Sequence, residues 1–131
     1  MLALVIDDSR AMRMILKRTL LGLGFEVVEA ADGQPALDVV AAGPLPDLAT
    51  IDWNMPVMNG LEFVTAVRQQ RAYRAMTLMM VTTESEHGQI VRALAAGAHE
   101  YVLKPFTAEA ITDKLSLLGL TPATVPSGLT T

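Results

Sequence analysis

The sequence predicts an α/β domain, a doubly wound parallel sheet of five strands covered by five helices. Short apolar runs alternate along the chain with amphipathic segments of helical period. Strands that alternate with helices imply right-handed crossovers and a parallel sheet covered on both faces. The chain has 131 residues, the size of one domain, and shows no internal repeat.

Leu2–Ile6 is continuously apolar, as in a strand covered on both faces, and stops at Asp7 and Asp8. Ser9 caps the helix that follows, with Met12, Ile15, Leu16 and Leu20 inward, and Gly22 and Gly24 end it. Phe25–Ala30 alternates like a more exposed strand, and Asp32-Gly33 turns into a helix with Pro35 in its first turn and Leu37, Val40 and Ala41 inward. After Gly43-Pro44 and Pro46, Leu48–Ile51 is a short third strand that delivers Asp52.

Residues 56–60 form a loop, and 61–70 a third helix with Leu61, Val64 and Val67 on one side. Thr77–Val81 is apolar enough for a central strand. Residues 87–96 form a weaker helix with Ile90, Val91 and Leu94 as its apolar side, closed by Gly97. Glu100–Leu103 is the fifth strand, 108–118 the fifth helix with Ile111, Leu115 and Leu118 inward, and 119–131 a loose tail.

Composition narrows the function. Half of the residues are hydrophobic (51%) and 18% are charged, which excludes a disordered chain, and scarce aromatics with eight Met imply an aliphatic core. A net charge of -4 leaves no basic footprint for nucleic acid. Without cysteine there is neither a disulfide framework nor a thiolate metal site, which fits a reducing cytoplasm. The first apolar run meets two carboxylates at once and has no basic leader, so it reads as neither signal peptide nor membrane span.

Each odd polar residue terminates a different strand in one polarity: Asp7 and Asp8 the first, Asp52 the third, Thr82 the fourth and Lys104 the fifth. Ligands of such sheets bind beyond the carboxyl ends of the strands. Taken singly these residues are ordinary, because Asp pairs cap helices, Asp fills turns and lysines solvate strand ends. Together they are three carboxylates that repel one another unless a cation sits among them. Mg²⁺ suits oxygen ligands of this kind, while Lys104 and the Thr82 hydroxyl can meet phosphoryl oxygens. The chemistry suggested is phosphoryl transfer onto an Asp carboxylate. His87 and His99 read as surface or interface residues.

Four separated motifs, Asp7-Asp8-Ser9, Ile51 to Pro56 with Asn59-Gly60, Val81-Thr82 and Tyr101 to Phe106, together resemble the receiver domain of two-component response regulators, most closely its single-domain chemotaxis members. The likeness covers residues 1–118 and implies strand order 2-1-3-4-5. It implies Asp52 as phosphoacceptor, Asp8, Asp52 and the Asn54 backbone carbonyl as Mg²⁺ ligands, and Asp7 as a helper through water. Lys104 would contact the phosphoryl group, Thr82 would be the switch hydroxyl, Tyr101 the aromatic that follows it, and Lys104-Pro105 a cis peptide. The donor would be a sensor histidine kinase and the target a protein bound in trans by helix four, strand five and helix five, such as a flagellar motor switch. Asn54, Thr83 and Glu84 stand at positions that tune phosphate loss, with Thr83 larger than the usual Ala or Gly. Glu86 and His87 replace lysines expected in the chemotaxis members. A phosphate sink, a regulator of another kinase and a Mg²⁺-dependent phosphohydrolase are the alternative readings.

Overall fold

The computed structural model describes residues 1–83 and 87–120. Its five parallel strands are β1 (Leu2–Ile6), β2 (Glu26–Ala30), β3 (Leu48–Ile51), β4 (Thr77–Thr82) and β5 (Glu100–Leu103), in the order β2-β1-β3-β4-β5. The helices are α1 (Arg10–Gly22), α2 (Gly33–Ala42), α3 (Gly60–Gln69), α4 (His87–Ala96) and α5 (Ala108–Leu117). The expected doubly wound architecture and strand order are therefore present.

Period-two alternation divides the core between the two faces. Leu4, Ile6, Ala49, Ile51, Leu78 and Met80 pack under α2, α3 and α4, while Ala3, Val5, Leu48, Met79, Val81 and Val102 pack under α1 and α5. The central strands β1, β3 and β4 are buried almost throughout, which is why their sequences are apolar without alternation. Edge strand β2 is half-exposed, with Glu26 and Glu29 in solvent.

Local signals set the helix ends. The Ser9 hydroxyl accepts the Met12 N–H at 3.2 Å, and the Asp32 carboxylate accepts the Gln34 N–H at 2.8 Å. Asn59 and Glu62 form a reciprocal capping box, so α3 starts at Gly60, one residue before the expected position. A short 3-10 turn at Arg71–Tyr73, unforeseen in the sequence, links α3 to β4. Gly119 and Leu120 do not leave α5 as a tail: the Leu120 N–H donates to the Leu115 carbonyl at 2.8 Å, and its side chain covers the second cluster.

Inward assignments change in four helices. In α1 Leu16 and Leu20 are buried, whereas Ile15 is 48% exposed. In α2 the buried positions are Ala36 and Val40, whereas Ala41 faces solvent, because N-capping by Asp32 sets the rotation of the helix. In α3 Phe63 fills the core while Leu61 is half-buried. In α4 Val91 and Leu94 are 46% and 39% exposed, and only Ala93 among the described side chains is buried. Helix α4 is thus lightly anchored for its length.

Thr50 is fully buried in β3, and its hydroxyl has no hydrogen-bond partner among the described residues. A buried unsatisfied hydroxyl costs about 1–3 kcal/mol, and valine has nearly its shape. Thr50→Val is therefore expected to raise stability by about 1 kcal/mol, seen as a higher urea midpoint at unchanged slope. A lower midpoint would contradict this assignment.

At the amino end of the sheet, Arg68 donates to the Gly97, Arg74 and Met76 carbonyls at 3.0, 3.3 and 2.9 Å. Its guanidinium lies 3.2 Å from His99 Nδ1, which also accepts the Leu78 N–H at 3.1 Å. His99 is on the surface as expected, yet its ring belongs to this network. Burial and then the Arg68 charge hold its pKa below the ordinary 6.5. A base with a lowered folded-state pKa binds its proton first in the unfolded chain, so stability is complete above the ordinary value and falls as the pH drops toward the lowered one. Between about pH 7.5 and 5.5 the wild type is expected to lose more stability than His99→Asn. Parallel losses in chemical denaturation would remove His99 as the cause.

Candidate functional site

The backbone builds the site first. Beyond the last residues of the strands, the Asp7 N–H donates to the Ala30 carbonyl at 3.1 Å, the Asp52 N–H to Ile6 at 3.0 Å and the Lys104 N–H to Thr82 at 2.9 Å. Each functional residue is thus tied to a neighbouring strand, and the strand ends form a rigid floor. The Asp52 carboxyl group also inherits the order of β3, which is buried on both faces.

The side chains then converge. Asp7 is 1% exposed and uses both oxygens, one accepting the Ser9 N–H at 2.8 Å and the other bonded to Lys104 Nζ at 2.8 Å. The same ammonium lies 3.5 Å from Asp52 Oδ1. Asp8 is exposed at the mouth, and Asp7, Asp8 and Asp52 each present an oxygen within 4.8 Å of the others. Burial pushes the Asp52 pKa up most strongly, Lys104 opposes it, and the charges of Asp7 and Asp8 push it up further.

One ammonium offsets only part of three carboxylates, so the donor set fits an added hard cation with oxygen ligands. The residues that could hold it are Asp7, Asp8 and Asp52. Because Asp7 already engages Ser9 and Lys104, Asp8 and Asp52 have the more available oxygens.

Thr82 is 3% exposed at the end of β4. Behind it a cleft of about 10 Å³, room for barely one water molecule, lies between α4 and the sheet, bordered by Trp53, Met80, Thr82, Ile90, Ala93 and Tyr101. Tyr101 is half-buried at its outer wall, while Asn54 and Thr83 are exposed at the rim. Glu84 and Glu86 lie outside the described residues, as does the side chain of His87. Lys104-Pro105 is cis, as the resemblance implied, and so is Gly43-Pro44.

Trp53 and Met55 carried no assigned role in the sequence. Trp53 is 8% exposed in the first core cluster with Met55 packed beside it, and the Arg92 guanidinium sits 6.0 Å from the indole centroid. Gly60 and Arg13 support the site through the backbone of its acids. Gly60 must be glycine because a Cβ there would overlap the Asp52 carbonyl, and the Arg13 guanidinium donates to the Asp7 carbonyl at 2.7 Å. Asn59-Gly60 was legible as a turn, whereas nothing distinguished Arg13 from the other cations of α1. Val57 adopts φ 67° with its side chain 83% exposed, an arrangement that strains a β-branched residue.

The family model of the response regulator receiver domain matches residues 3–116. The chain belongs to the response regulator receiver family. This receiver is 44% identical over 113 residues to a chemotaxis protein CheY homolog of Campylobacter jejuni, covering 86% of this chain and 87% of that protein. It is 40% identical over 116 residues to chemotaxis protein CheY1 of Helicobacter pylori, covering 88% and 94% of the two chains. Among solved structures, chemotaxis protein CheY4 of Vibrio cholerae superposes with a TM-score of 0.82 at 38% identity, over 88% of this receiver and 96% of that chain. No helix among the described residues of the receiver is long and apolar enough to cross a membrane.

Proposed function

We propose that this receiver takes a phosphoryl group from a phosphohistidine of a sensor kinase onto Asp52 and signals by phosphorylation-controlled binding of a protein in chemotaxis. The observation that carries this reading is the Lys104 ammonium between Asp7 and Asp52, at 2.8 and 3.5 Å, with Asp8 beside them. In the reaction a carboxylate oxygen of Asp52 forms the new P–O bond as the P–N bond to the donor imidazole breaks, and the imidazole keeps the electron pair. In this reading Lys104 meets the developing phosphoryl charge, and the Thr82 hydroxyl donates to a phosphoryl oxygen. Asp8, Asp52 and the Asn54 carbonyl, with Asp7 in support, would hold Mg²⁺, which would supply charge neutralisation to the transferred group.

Signalling follows from the neighbours of Asp52. Thr82 and Tyr101 border the same cleft against α4, so a phosphoryl group that engages Thr82 shifts the equilibrium of that wall and the affinity of the α4, β5 and α5 face. The chemotaxis names of the relatives favour a partner in the motility apparatus. A folded receiver domain acting in the cytoplasm without direct nucleic-acid or membrane contact completes the reading. Asn54 together with Glu84 favours a short-lived phosphoryl state, with Thr83 narrowing access. A phosphate sink is the second reading, and the remote hydrolase is disfavoured because Asn54 stands where its second acid would be.

A swimming assay on a strain lacking this protein tests the output. Loss of directed taxis, restored by the wild type and not by Asp52→Asn, is expected; normal taxis in the deletion strain would remove the motility reading.

A further inference from the structure

At the free edge of β5, the Glu100 carboxylate accepts the Tyr101 N–H at 3.0 Å and pairs with the ammonium of Lys114 at 3.1 Å. That ammonium lies 5.3 Å from the centroid of the Tyr101 ring. One carboxylate and one cation, from β5 and from α5, thus hold the backbone and the face of the same tyrosine. All three residues are partly exposed at this edge, and Glu100 caps an N–H that has no strand partner among the described residues.

The other side of the ring faces a different element. Tyr101 packs with the first core cluster and borders the cleft under α4, whereas α5 packs through Ile111 and Leu115 on the second cluster across the sheet. A ring that moves into the cleft therefore leaves the Lys114 ammonium behind. The cleft is narrow and walled on one side by Ile90 and Ala93 of α4, so a ring that enters it presses on that helix. In that helix Val91 and Leu94 are exposed and Ile90 and Ala96 half-buried, with the small Ala93 as its described buried side chain, so it is held by less buried side-chain volume than α3 with its Phe63, Val64 and Val67.

We propose that Lys114, anchored by Glu100, is a positioning residue that holds Tyr101 at the outer wall of the cleft and so sets how readily the α4, β5 and α5 face changes state. The link to signalling rests on the phosphoacceptor reading above; the clamp on the ring does not. A cation over a phenol ring at a partly exposed site shifts a two-position equilibrium by about two- to five-fold. Glu100 fixes the lysine stem, so its neutral analogue weakens the clamp without deleting the cation.

The test measures Tyr101 χ1 populations by NMR couplings, with ring contacts to Thr82 and Ile90 as a second readout, on the full chain without any phosphodonor. Lys114→Met is expected to raise the inward population about two- to five-fold, Glu100→Gln to raise it less, and Lys114→Arg, which keeps a cation, to restore the wild-type value. Equal Tyr101 populations in wild type and Lys114→Met, or failure of Lys114→Arg to restore them, would overturn the clamp. Because no phosphodonor is present, inability of Asp52 to accept phosphate would defeat the functional reading and leave this measurement intact.

Discussion

Asp52→Asn is expected to make the metal-free protein more stable while removing most of its response to Mg²⁺. Unit charges 4 Å apart repel by about 4 kcal/mol at an effective dielectric near 20. Lys104 offsets much of that repulsion, since it lies 3.5 Å from Asp52 and 2.8 Å from Asp7. Neutralising the nearly buried Asp52 keeps its shape and removes its share of repulsion and desolvation, a gain of about 1–2 kcal/mol. Binding to the native state alone stabilises a protein by mass action, so Mg²⁺ raises the wild-type urea midpoint and raises that of the variant much less. The comparison is made in chelator and then in excess Mg²⁺. Equal Mg²⁺ responses in the two proteins, or a variant less stable in chelator, would contradict this placement of Asp52.

Lys104→Met is expected to act in the opposite direction. The lysine side chain is 12% exposed and that of Asp7 is 1% exposed, so its removal leaves a buried carboxylate that retains only the Ser9 N–H among its described partners. Breaking such a pair costs about 3–5 kcal/mol. Excess Mg²⁺ is expected to return part of the loss, because a divalent cation among the same carboxylates replaces the missing charge. The variant should also gain no phosphoryl group at the wild-type rate, having lost the cation that faces it. A cost below about 1 kcal/mol in chelator would mean that the ion pair contributes as little as an exposed one.

The sequence carried the architecture because its central strands are buried on both faces and so read as unbroken apolar runs. It pointed to a candidate site because one residue after another broke those runs at the same end, where the Lys104 ammonium lies against Asp7 and Asp52 and the Lys104 N–H reaches the Thr82 carbonyl. What stayed hidden depends on rotation and close approach, which composition does not encode. Val91 and Leu94 have helical spacing but point outward, since α4 meets the sheet through the small Ala93. Gly60 reads as a loop glycine in the sequence, and only the fold brings the Asp52 carbonyl against it. The carboxylate and ammonium on Tyr101 join Glu100 to Lys114 across two elements, and single-sequence periodicity holds no trace of that pairing.

The most direct test is intact-protein mass after incubation with acetyl phosphate and Mg²⁺. Wild type is predicted to gain the mass of one phosphoryl group, and Asp52→Asn to gain none. An unmodified wild type, or the same gain in Asp52→Asn, would contradict Asp52 as the phosphoacceptor.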